Sequence, residues 1–375
     1  MSRRIRILFG IDSFNSEAGT ENQLIALIHG MDASRFEIFV FCIEDGEPLQ
    51  RLAPRATPLV FPMTHVLSMG TVRQICRLHR EINRLRIDIV HTFMVRPAIL
   101  GVAATWRSRC KVVLTSRRNM GHWYTPSYLR MFRMLNRFTS RVVANSEAAK
   151  QAAVNIEGLD PSRVDVQYNG VNLRAFSGAG DRSSTDRLGI PSQARIVGIV
   201  ANYRAVKDLP MFLRAAALIA AQHADVAFLL VGKGPLRQRL AELAEQLGIG
   251  QKVFFTDGVG SVSGYLPLME LGCLSSLNEG FSNAILEYMA AGLAVVATDV
   301  GGNREAVTEG VTGFLTPAGD ENKFARQVNI LLENDPMRKS MGERGRARCR
   351  EEFSMDACAR RFENYYESLL ASSLL

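Results

Sequence analysis

The sequence predicts an α/β protein with two domains, each a parallel sheet covered by helices. Its 375 residues suit two domains that each bury a core of their own. Short apolar runs alternate with helical patterns from residue 5 onward, and the same alternation starts again near residue 195. Between the two series, residues 177–185 are small and polar, as in an interdomain linker. We therefore expect a first domain over 1–178, a linker over 179–193 and a second domain over 194–355.

The first half contains five apolar runs short enough to be buried strands. They cover residues 5–11, 36–43, 87–92, 111–115 and 141–144. After the first run, a polar loop that contains Gly19 leads into a predicted helix over 23–31. Glycine at that place lets the backbone approach a ligand closely, although a lone glycine is also typical of a plain turn. The half ends in residues 164–172, a strand that closes in an Asn-Gly turn.

The second half repeats the pattern of strands and helices. Its predicted strands cover 195–201, 226–231, 252–256, 272–277 and 294–298, and its predicted helices cover 209–222, 236–248 and 303–308. The C-terminal segment 356–375 contains a further amphipathic helix. Since chain termini often lie close together, we expect this helix to return to the first domain.

Composition excludes several classes of protein. No apolar run approaches the ~18 residues that a membrane-spanning helix needs. The apolar run at the N-terminus is cut short by Arg6 and Asp12, so it suits a buried strand better than a signal peptide. The six cysteines have no C-x-x-C spacing, which argues against a zinc site and against a disulfide framework. We therefore expect a protein of the reducing cytoplasm.

Positive charge is concentrated in the first half. Residues 1–178 hold 24 Lys and Arg against 14 Asp and Glu, a net charge of +10, whereas the remainder holds 21 against 23, a net charge of −2. Two predicted helices carry arginine stripes: Arg73, Arg77, Arg80 and Arg84 on one, and Arg130, Arg133, Arg137 and Arg141 on the other. Most such stripes are solvated faces, but basic amphipathic helices also lie on anionic membranes. The charge favours a lipid headgroup or a phosphorylated acceptor over nucleic acid, because no basic motif interleaved with aromatic residues is present.

Residues 275–287 combine a short strand, a polar turn and the start of a helix. Ser282 or Asn283 suits the N-cap position of that helix. Backbone N–H groups at a helix start bind phosphate, and the carboxylates of Glu279 and Glu287 can accept hydrogen bonds from sugar hydroxyls. The pattern predicts a site for a phosphorylated sugar. The alternative is a solvated Glu279 and a Glu287 that merely favours the helix N-terminus.

A second loop carries a pair of cations. Arg204 and Lys207 follow the first strand of the second half, at the carboxyl end where open α/β sheets bind ligands. A cationic pair there suits a diphosphate. Neither 232–234 nor 301–302 extends to G-x-G-x-x-G, so the sequence lacks the dinucleotide fingerprint, which argues against a dehydrogenase.

With these features in this order, the chain resembles the retaining glycosyltransferases of family 4. The similarity runs nearly end to end, is strongest over 195–317 and rests most on an E-x7-E signature, which is Glu279 and Glu287 within EGFSNAILEYMAAGLAVVATDVGG. The resemblance implies the GT-B fold, in which two Rossmann-like domains face each other across a cleft. It also implies a nucleoside-diphosphate sugar as co-substrate, held mainly by the second domain, with no cofactor and no metal.

The resemblance implies a role for each candidate residue. Glu287 would bond the ribose hydroxyls, and Glu279 the hydroxyls of the donor sugar. Arg204 and Lys207 would neutralise the leaving diphosphate, and Gly19 would close over the phosphates from the first domain. The backbone groups that would bind the phosphates are those of Gly280, Phe281, Ser282 and Asn283. Family members transfer the sugar with retention of anomeric configuration, and in the favoured account the departing phosphate oxygen takes the acceptor's proton.

Three departures from the family pattern bear on these roles. The opening loop has Ala18-Gly19 where the family usually has two glycines. The usual basic residue five positions before the loop lysine falls at Asn202, so we take Arg204 as its substitute. Where many members have a histidine after the fourth strand, this chain has Arg117, which we predict to be catalytic. The other candidates for that role are His91 and His122.

The leading hypothesis is a cytoplasmic, retaining, metal-independent hexosyl-type glycosyltransferase with peripheral contact at the inner face of the membrane. Its expected acceptor is a glycan or a lipid-linked sugar, as in the synthesis of cell-surface polysaccharide, because the first domain is basic. One alternative is transfer to a soluble small molecule. Another is a catalytically silent GT-B protein that binds nucleotide sugar, although intact Glu279, Glu287 and Lys207 argue against it.

Overall fold

A computed structural model of the protein describes residues 3–14, 19–44, 52–63, 65–66, 68–121, 124–176, 178, 186–258 and 261–372. The chain divides into two compact units, Met1–Gly170 together with Met355–Leu375, and Val171–Ser354. The division therefore lies at Gly170 rather than at residue 178. Val171 already belongs to the second unit, because its backbone N–H donates to the carbonyl of Phe353 over 2.8 Å.

The first unit is built on a parallel sheet. Numbered along the chain, its strands are β1 (Ile5–Ile11), β2 (Phe36–Cys42), β3 (Ala56–Val60), β4 (Ile89–Thr92), β5 (Val112–Arg117), β6 (Arg141–Ala144) and β7 (Val164–Val166). Their spatial order is β3-β2-β1-β4-β5-β6-β7, with parallel pairing throughout. The sequence does not predict β3. This edge strand exposes Thr57 and Pro58, and so it lacks the apolar pattern of a buried strand.

Helices cover both faces of this sheet. They are α1 (Gly19–Gly30), α2 (Met69–Arg84), α3 (Val95–Thr105), α4 (Pro126–Leu135) and α5 (Glu147–Glu157). Alternate residues of β1 point to opposite faces: Ile7 and Phe9 pack with α1, whereas Leu8 packs with α2 and α3.

Only the first arginine stripe is a single helical face. The four arginines of α2 are all exposed, whereas α4 ends at Leu135. Arg137 therefore lies in a 3-10 turn and Arg141 begins β6, so the prediction of a second continuous stripe is wrong. The C-cap of α4 is Asn136. Its buried side-chain amide donates a hydrogen bond to the Glu157 carboxylate over 2.8 Å.

The second unit is built on a second parallel sheet. Its strands are β8 (Arg195–Val200), β9 (Val226–Val231), β10 (Val253–Phe255), β11 (Met269–Leu274), β12 (Ala294–Thr298) and β13 (Gly313–Thr316), in the spatial order β10-β9-β8-β11-β12-β13. Its helices are α6 (Leu209–Ala220), α7 (Arg237–Gln246), α8 (Val262–Tyr265), α9 (Asn283–Ala291), α10 (Asn303–Ala306), α11 (Glu321–Glu333) and α12 (Asp335–Glu352). Strand β11 ends three residues before the predicted end at residue 277, so Ser275 and Ser276 lie in the following loop.

The last helix, α13 (Met355–Ser372), belongs to the first unit. Its buried side chains Ala359, Phe362 and Tyr366 join the core formed by α1 and the strands. The Glu363 carboxylate also accepts from Arg35 Nη1 over 2.9 Å, which fixes α13 against the start of β2. Over the residues that the structure describes, no helix combines the length and the apolar composition needed to cross a lipid bilayer.

Candidate active site

Two loops of the second unit meet at the carboxyl ends of adjacent strands β8 and β11. The first contains a 3-10 turn, Ala205–Lys207, and the second contains Ser275 and Ser276. Ser275 Oγ donates to the carbonyl of Lys207 over 2.7 Å, and Leu277 N donates to the carbonyl of Val206 over 2.8 Å. Because the loops are bonded to each other, residues 72 positions apart in the chain form one site.

An ion pair lies at the centre of this site. Lys207 Nζ is 2.5 Å from Glu279 Oε1, and both side chains are partly buried. Ser276 Oγ donates to the same carboxylate oxygen over 2.7 Å. The sequence predicts Lys207 and Glu279 as site residues but predicts neither their pairing nor Ser276. The available signal for Ser276 is a hydroxyl three residues before Glu279 at the end of a strand.

Two glycines support the backbone of Glu279 from behind. Gly301 has a left-handed φ of 51°, and a Cβ atom there would lie 1.8 Å from the Glu279 carbonyl oxygen. Gly302 N donates to that same carbonyl over 3.3 Å. Residues 301–302 therefore allow two backbone segments to approach closely, and this contact positions Glu279. In a dinucleotide-binding fold, by contrast, such glycines allow the backbone to approach a phosphate.

Helix α9 begins directly beyond Glu279. Ser282 is its N-cap, and the Ser282 hydroxyl accepts from Ile285 N over 3.4 Å. Tyr288 fixes the helix to the sheet: its fully buried hydroxyl donates to Cys273 O over 2.9 Å and accepts from Val200 N over 2.6 Å. The helix N-terminus, with its partial positive charge, therefore points into the same region as Lys207.

The residues between Glu279 and α9 have mostly buried side chains. Phe281 is buried and its ring lies 5.5 Å from that of Phe353, so its side chain packs in the protein. Gly280 and Ser282 are buried as well, and Asn283 opens the helix. Their predicted role is to bind phosphate through their backbone groups, and this role stays a prediction.

Glu287 lies on α9, eight residues after Glu279 in the chain. It is partly buried, and burial raises the pKa of its carboxyl to about 7. Its side chain has no hydrogen-bond or ion-pair partner within the part of the chain that the structure describes. A partly desolvated carboxylate without a protein partner is suited to accept hydrogen bonds from ligand hydroxyls.

Arg204 precedes the 3-10 turn and is exposed. Its guanidinium forms no ion pair among the described residues, so its charge remains available to a ligand. Asp208, which follows Lys207, has a left-handed φ of 39° and accepts from Met211 N over 3.3 Å as the N-cap of α6. The cationic loop is thus held in a sparsely populated backbone conformation, as residues at functional sites often are.

The surroundings of Arg117 favour a structural role and argue against the predicted catalytic role. Its guanidinium is buried at the end of β5 and forms a bidentate pair with Glu157, over 2.6 and 2.8 Å. It also donates to Asn136 and Thr115 and lies 4.3 Å from the Phe132 ring centre. Burial acts to lower the pKa of Arg117, but the Glu157 carboxylate outweighs it and the pKa is raised. No donor is left to contact a substrate.

The other residues predicted for the first unit lie in different settings. His91 is completely buried within β4, where burial and the Arg118 charge lower its pKa to about 3, so it is neutral and does not contact solvent. His122 lies outside the described residues. Gly19 begins α1, and its contribution to phosphate binding stays a prediction, because Ala18 and the preceding loop residues also lie outside the described part of the chain.

Comparison with known proteins gives two family matches that together span most of the chain. Residues 18–175 match the family described as Glycosyltransferase Family 4, and residues 181–348 match Glycosyl transferases group 1. N-acetyl-alpha-D-glucosaminyl L-malate synthase of Bacillus anthracis is 31% identical over 208 residues, which are 55% of this chain and 54% of that protein. D-inositol 3-phosphate glycosyltransferase of Thermobispora bispora is 32% identical over 241 residues, 61% of this chain and 56% of that protein. The chain thus spans about half the length of the curated relatives it matches.

Solved structures agree in fold. HepE of Anabaena, solved with UDP and glucose, superposes with a TM-score of 0.85 at 22% identity, over 97% of this chain and all (100%) of that chain. Sucrose-phosphate synthase of Thermosynechococcus elongatus gives a TM-score of 0.80 at 18% identity, over 98% of this chain and 100% of that chain. The predicted GT-B fold with two Rossmann-like domains is confirmed. The chain belongs to the family 4-like glycosyltransferases of the GT-B fold.

Proposed function

We propose that this protein transfers a sugar from a nucleoside-diphosphate sugar to a small anionic acceptor, with retention and without a metal ion. The observation that carries the proposal is the cluster at the carboxyl ends of β8 and β11. There the ion pair of Lys207 with Glu279 lies beside the N-terminus of α9, and Glu287 on the same helix has no hydrogen-bond or ion-pair partner among the described residues. This combination matches the charges and hydroxyls of a nucleotide sugar.

The second unit supplies the donor contacts in this proposal. Arg204 and Lys207 bind the diphosphate together with backbone groups at the start of α9, while Glu287 accepts from the ribose hydroxyls and Glu279 from those of the sugar. Ser276 and Lys207 hold the Glu279 carboxylate in place. Support for a uridine nucleotide comes from HepE, which was solved with UDP and with UDP-glucose.

The acceptor is a small molecule in this proposal, rather than the lipid-linked or polysaccharide precursor that the sequence favours. The names of both curated relatives describe a small polar molecule, malate in one and inositol 3-phosphate in the other. Malate and inositol 3-phosphate are anions, and the net charge of +10 over residues 1–178 would attract such an acceptor.

The proposed chemistry is the retaining transfer that the family resemblance implies. The bond between the sugar's anomeric carbon and the diphosphate oxygen breaks, a bond from the acceptor oxygen to that carbon forms on the same face, and the acceptor's proton passes to the departing phosphate oxygen. Lys207, Arg204 and the start of α9 stabilise the negative charge that develops on the diphosphate. These groups supply the charge for which other transferases use a metal. Full turnover in EDTA and an α-configured product from an α-configured donor would support this account, and loss of turnover in EDTA would contradict it.

Donor binding should depend on pH through Glu287. Because the pKa of its carboxyl is about 7 in the free protein, lowering the pH below 7 protonates the group that accepts from the ribose. We expect UDP affinity, measured by calorimetry, to fall by up to about tenfold per pH unit below 7. Glu287→Gln should bind UDP more weakly at pH 8 and lose this part of the pH dependence, whereas the exposed-site control Glu333→Gln should keep it. If Glu287→Gln bound UDP at pH 8 as tightly as the unaltered protein does, the proposed contact between Glu287 and the ribose would be wrong.

A thermal-shift screen with UDP, UDP-glucose and other nucleoside-diphosphate sugars tests the donor class directly. A ligand that binds only the folded state raises the apparent stability with the logarithm of its concentration relative to Kd. We expect a shift with at least one of them. Failure of every nucleotide to shift the transition would contradict the proposal.

A second candidate function, transfer to a lipid-linked acceptor at a membrane surface, is favoured by one feature. The start of α2 exposes apolar side chains beside its arginines: Met69 is 81% exposed and Val72 is 51% exposed, next to Arg73. Such a face suits an anionic bilayer. If it serves that function, the protein should sediment with phosphatidylglycerol vesicles at low salt, and Met69→Ser/Val72→Ser should reduce binding severalfold, unlike Leu218→Ser on α6. Absence of sedimentation would eliminate this candidate.

A further inference from the structure

A chain of three hydrogen-bonding side chains runs through the first unit. Tyr366 Oη of α13 is 2.8 Å from His91 Nδ1, and His91 Nε2 is 2.8 Å from Ser116 Oγ. Tyr366 and His91 are completely buried, whereas Ser116, near the carboxyl end of β5, is partly exposed. The chain therefore starts in the core and ends at the edge where parallel sheets bind ligands.

The direction of these hydrogen bonds follows from the partners available. A buried hydroxyl must donate its hydrogen, and His91 Nδ1 is the acceptor that the described residues offer to Tyr366. Since His91 is neutral, its single proton is then on Nε2 and is donated to Ser116 Oγ. Ser116 accepts this bond, so the hydrogen of its own hydroxyl is free to be donated to a ligand at the carboxyl edge.

Arg118 lies next to Ser116 on the same face. Residues 116 and 118 follow one another at a spacing of two at the end of a strand, so they point the same way, whereas Arg117 points to the opposite face and to Glu157. Arg118 is partly buried, and its one side-chain hydrogen bond among the described residues is to the neutral Asn169 Oδ1, over 2.8 Å. Phe93 lies under it at 5.8 Å from the ring centre.

The charge of Arg118 is only partly compensated. Burial lowers the pKa of Arg118 to about 10, while the Glu21 carboxylate of α1 acts to raise it, so the guanidinium remains cationic at neutral pH. A desolvated cation whose direct hydrogen-bond partner is an amide gains strongly from an anionic ligand. Arg117 differs from Arg118 in this respect, because all of the Arg117 N–H donors are bonded within the protein.

We infer that Arg118 and Ser116 form the subsite that binds the anionic group of the acceptor, a carboxylate or a phosphate. Arg118 donates from its guanidinium and Ser116 from its hydroxyl. Tyr366 and His91 are positioning residues, because they fix the proton on Nε2 and so direct the serine hydrogen outward. This inference rests on the proposed function for its acceptor, but it concerns only residues of the first unit.

Two anions, inorganic phosphate and L-malate, test the subsite by calorimetry in the presence of saturating UDP, which occupies the donor site. We expect Arg118→Gln to weaken binding of the preferred anion by about tenfold or more and Ser116→Ala by about three- to tenfold. Arg118→Lys should retain most of the affinity, as should the exposed control Arg130→Gln. UDP affinity should be unchanged in all four variants. Phosphate-only binding would indicate a phosphorylated acceptor, and malate-only binding a carboxylate acceptor.

Tyr366→Phe tests the positioning role. Phenylalanine cannot donate to His91, so the proton can move to Nδ1 and Ser116 must then donate to Nε2 instead of to the anion. Anion affinity should fall as in Ser116→Ala, and the double variant Ser116→Ala/Tyr366→Phe should be no weaker than the serine variant alone. A circular dichroism spectrum and melting temperature would establish that each variant is folded.

The outcomes separate this inference from the proposed function. If UDP binds but neither anion does, or if Arg118→Gln binds both anions as well as the unaltered protein, the subsite is wrong while the donor proposal stands. If UDP does not bind, the donor proposal fails. The anion titrations can then be carried out without UDP, and they still test whether Arg118 and Ser116 bind the anion.

Discussion

Replacing Lys207 with methionine is expected to lower kcat by about a hundredfold to a thousandfold, equivalent to about 3–4 kcal/mol of transition-state stabilisation. The ammonium lies 2.5 Å from Glu279 in a partly buried site, where its charge is screened less than on the surface. Removal takes away a cation that stabilises the leaving diphosphate and leaves the Glu279 carboxylate without its ion-pair partner. Steady-state kinetics with the donor varied would measure the loss.

The matched control for this change is Lys339→Met, which removes an exposed lysine of α12. We expect its kcat to equal that of the unaltered protein. If Lys207→Met raised only the KM for the donor and left kcat unchanged, the lysine would bind substrate and transition state equally, and its proposed role in stabilising the leaving group would be wrong.

Replacing Arg117 with methionine is expected to destabilise the protein by about 3–5 kcal/mol, because it leaves the Glu157 carboxylate buried without its charged partner. Denaturant unfolding would measure the change. Turnover per folded molecule, determined well below the melting temperature, should stay close to that of the unaltered protein.

A surface ion pair provides the comparison. Arg84 pairs with Glu81 over 2.6 Å on the exposed side of α2, and Arg84→Met should cost about 0–1 kcal/mol. If Arg117→Met kept its full stability and lost turnover, Arg117 would be catalytic, as the family pattern predicts, and the structural role would be refuted.

The contrast between Arg117 and Arg118 shows where sequence reasoning ends. The family pattern predicts a catalytic role for Arg117 because a histidine stands there in many members. Side chains alternate between the two faces of a strand, so a shift of one residue exchanges the α13 face for the α4 and α5 face. Which face is occupied by Glu157 and which by His91 depends on contacts between segments 25 to 40 positions apart, which a single sequence does not contain.

Local sequence patterns predict strand bounds and helix caps better than they predict contacts between distant segments. The buried strands β1, β6, β9 and β12 have the predicted bounds, since continuous apolar runs between polar turns are typical of parallel sheets. The N-cap Ser282 was also among the predicted residues, because a small polar side chain before an apolar helix indicates a cap. The ion pair between Lys207 and Glu279 was not predicted, since it depends on the adjacency of β8 and β11 in the sheet.

The central claim, transfer from a nucleotide sugar to a small anionic acceptor, is tested most directly by UDP release. The protein would be incubated in EDTA with each of several UDP-sugars, and with L-malate, inositol 3-phosphate or a lipid-linked sugar as acceptor. We predict UDP release that requires one of the small anions and is lost in Lys207→Met. Release that requires the lipid-linked sugar alone, or no release with any acceptor from a protein that binds UDP, would contradict the claim.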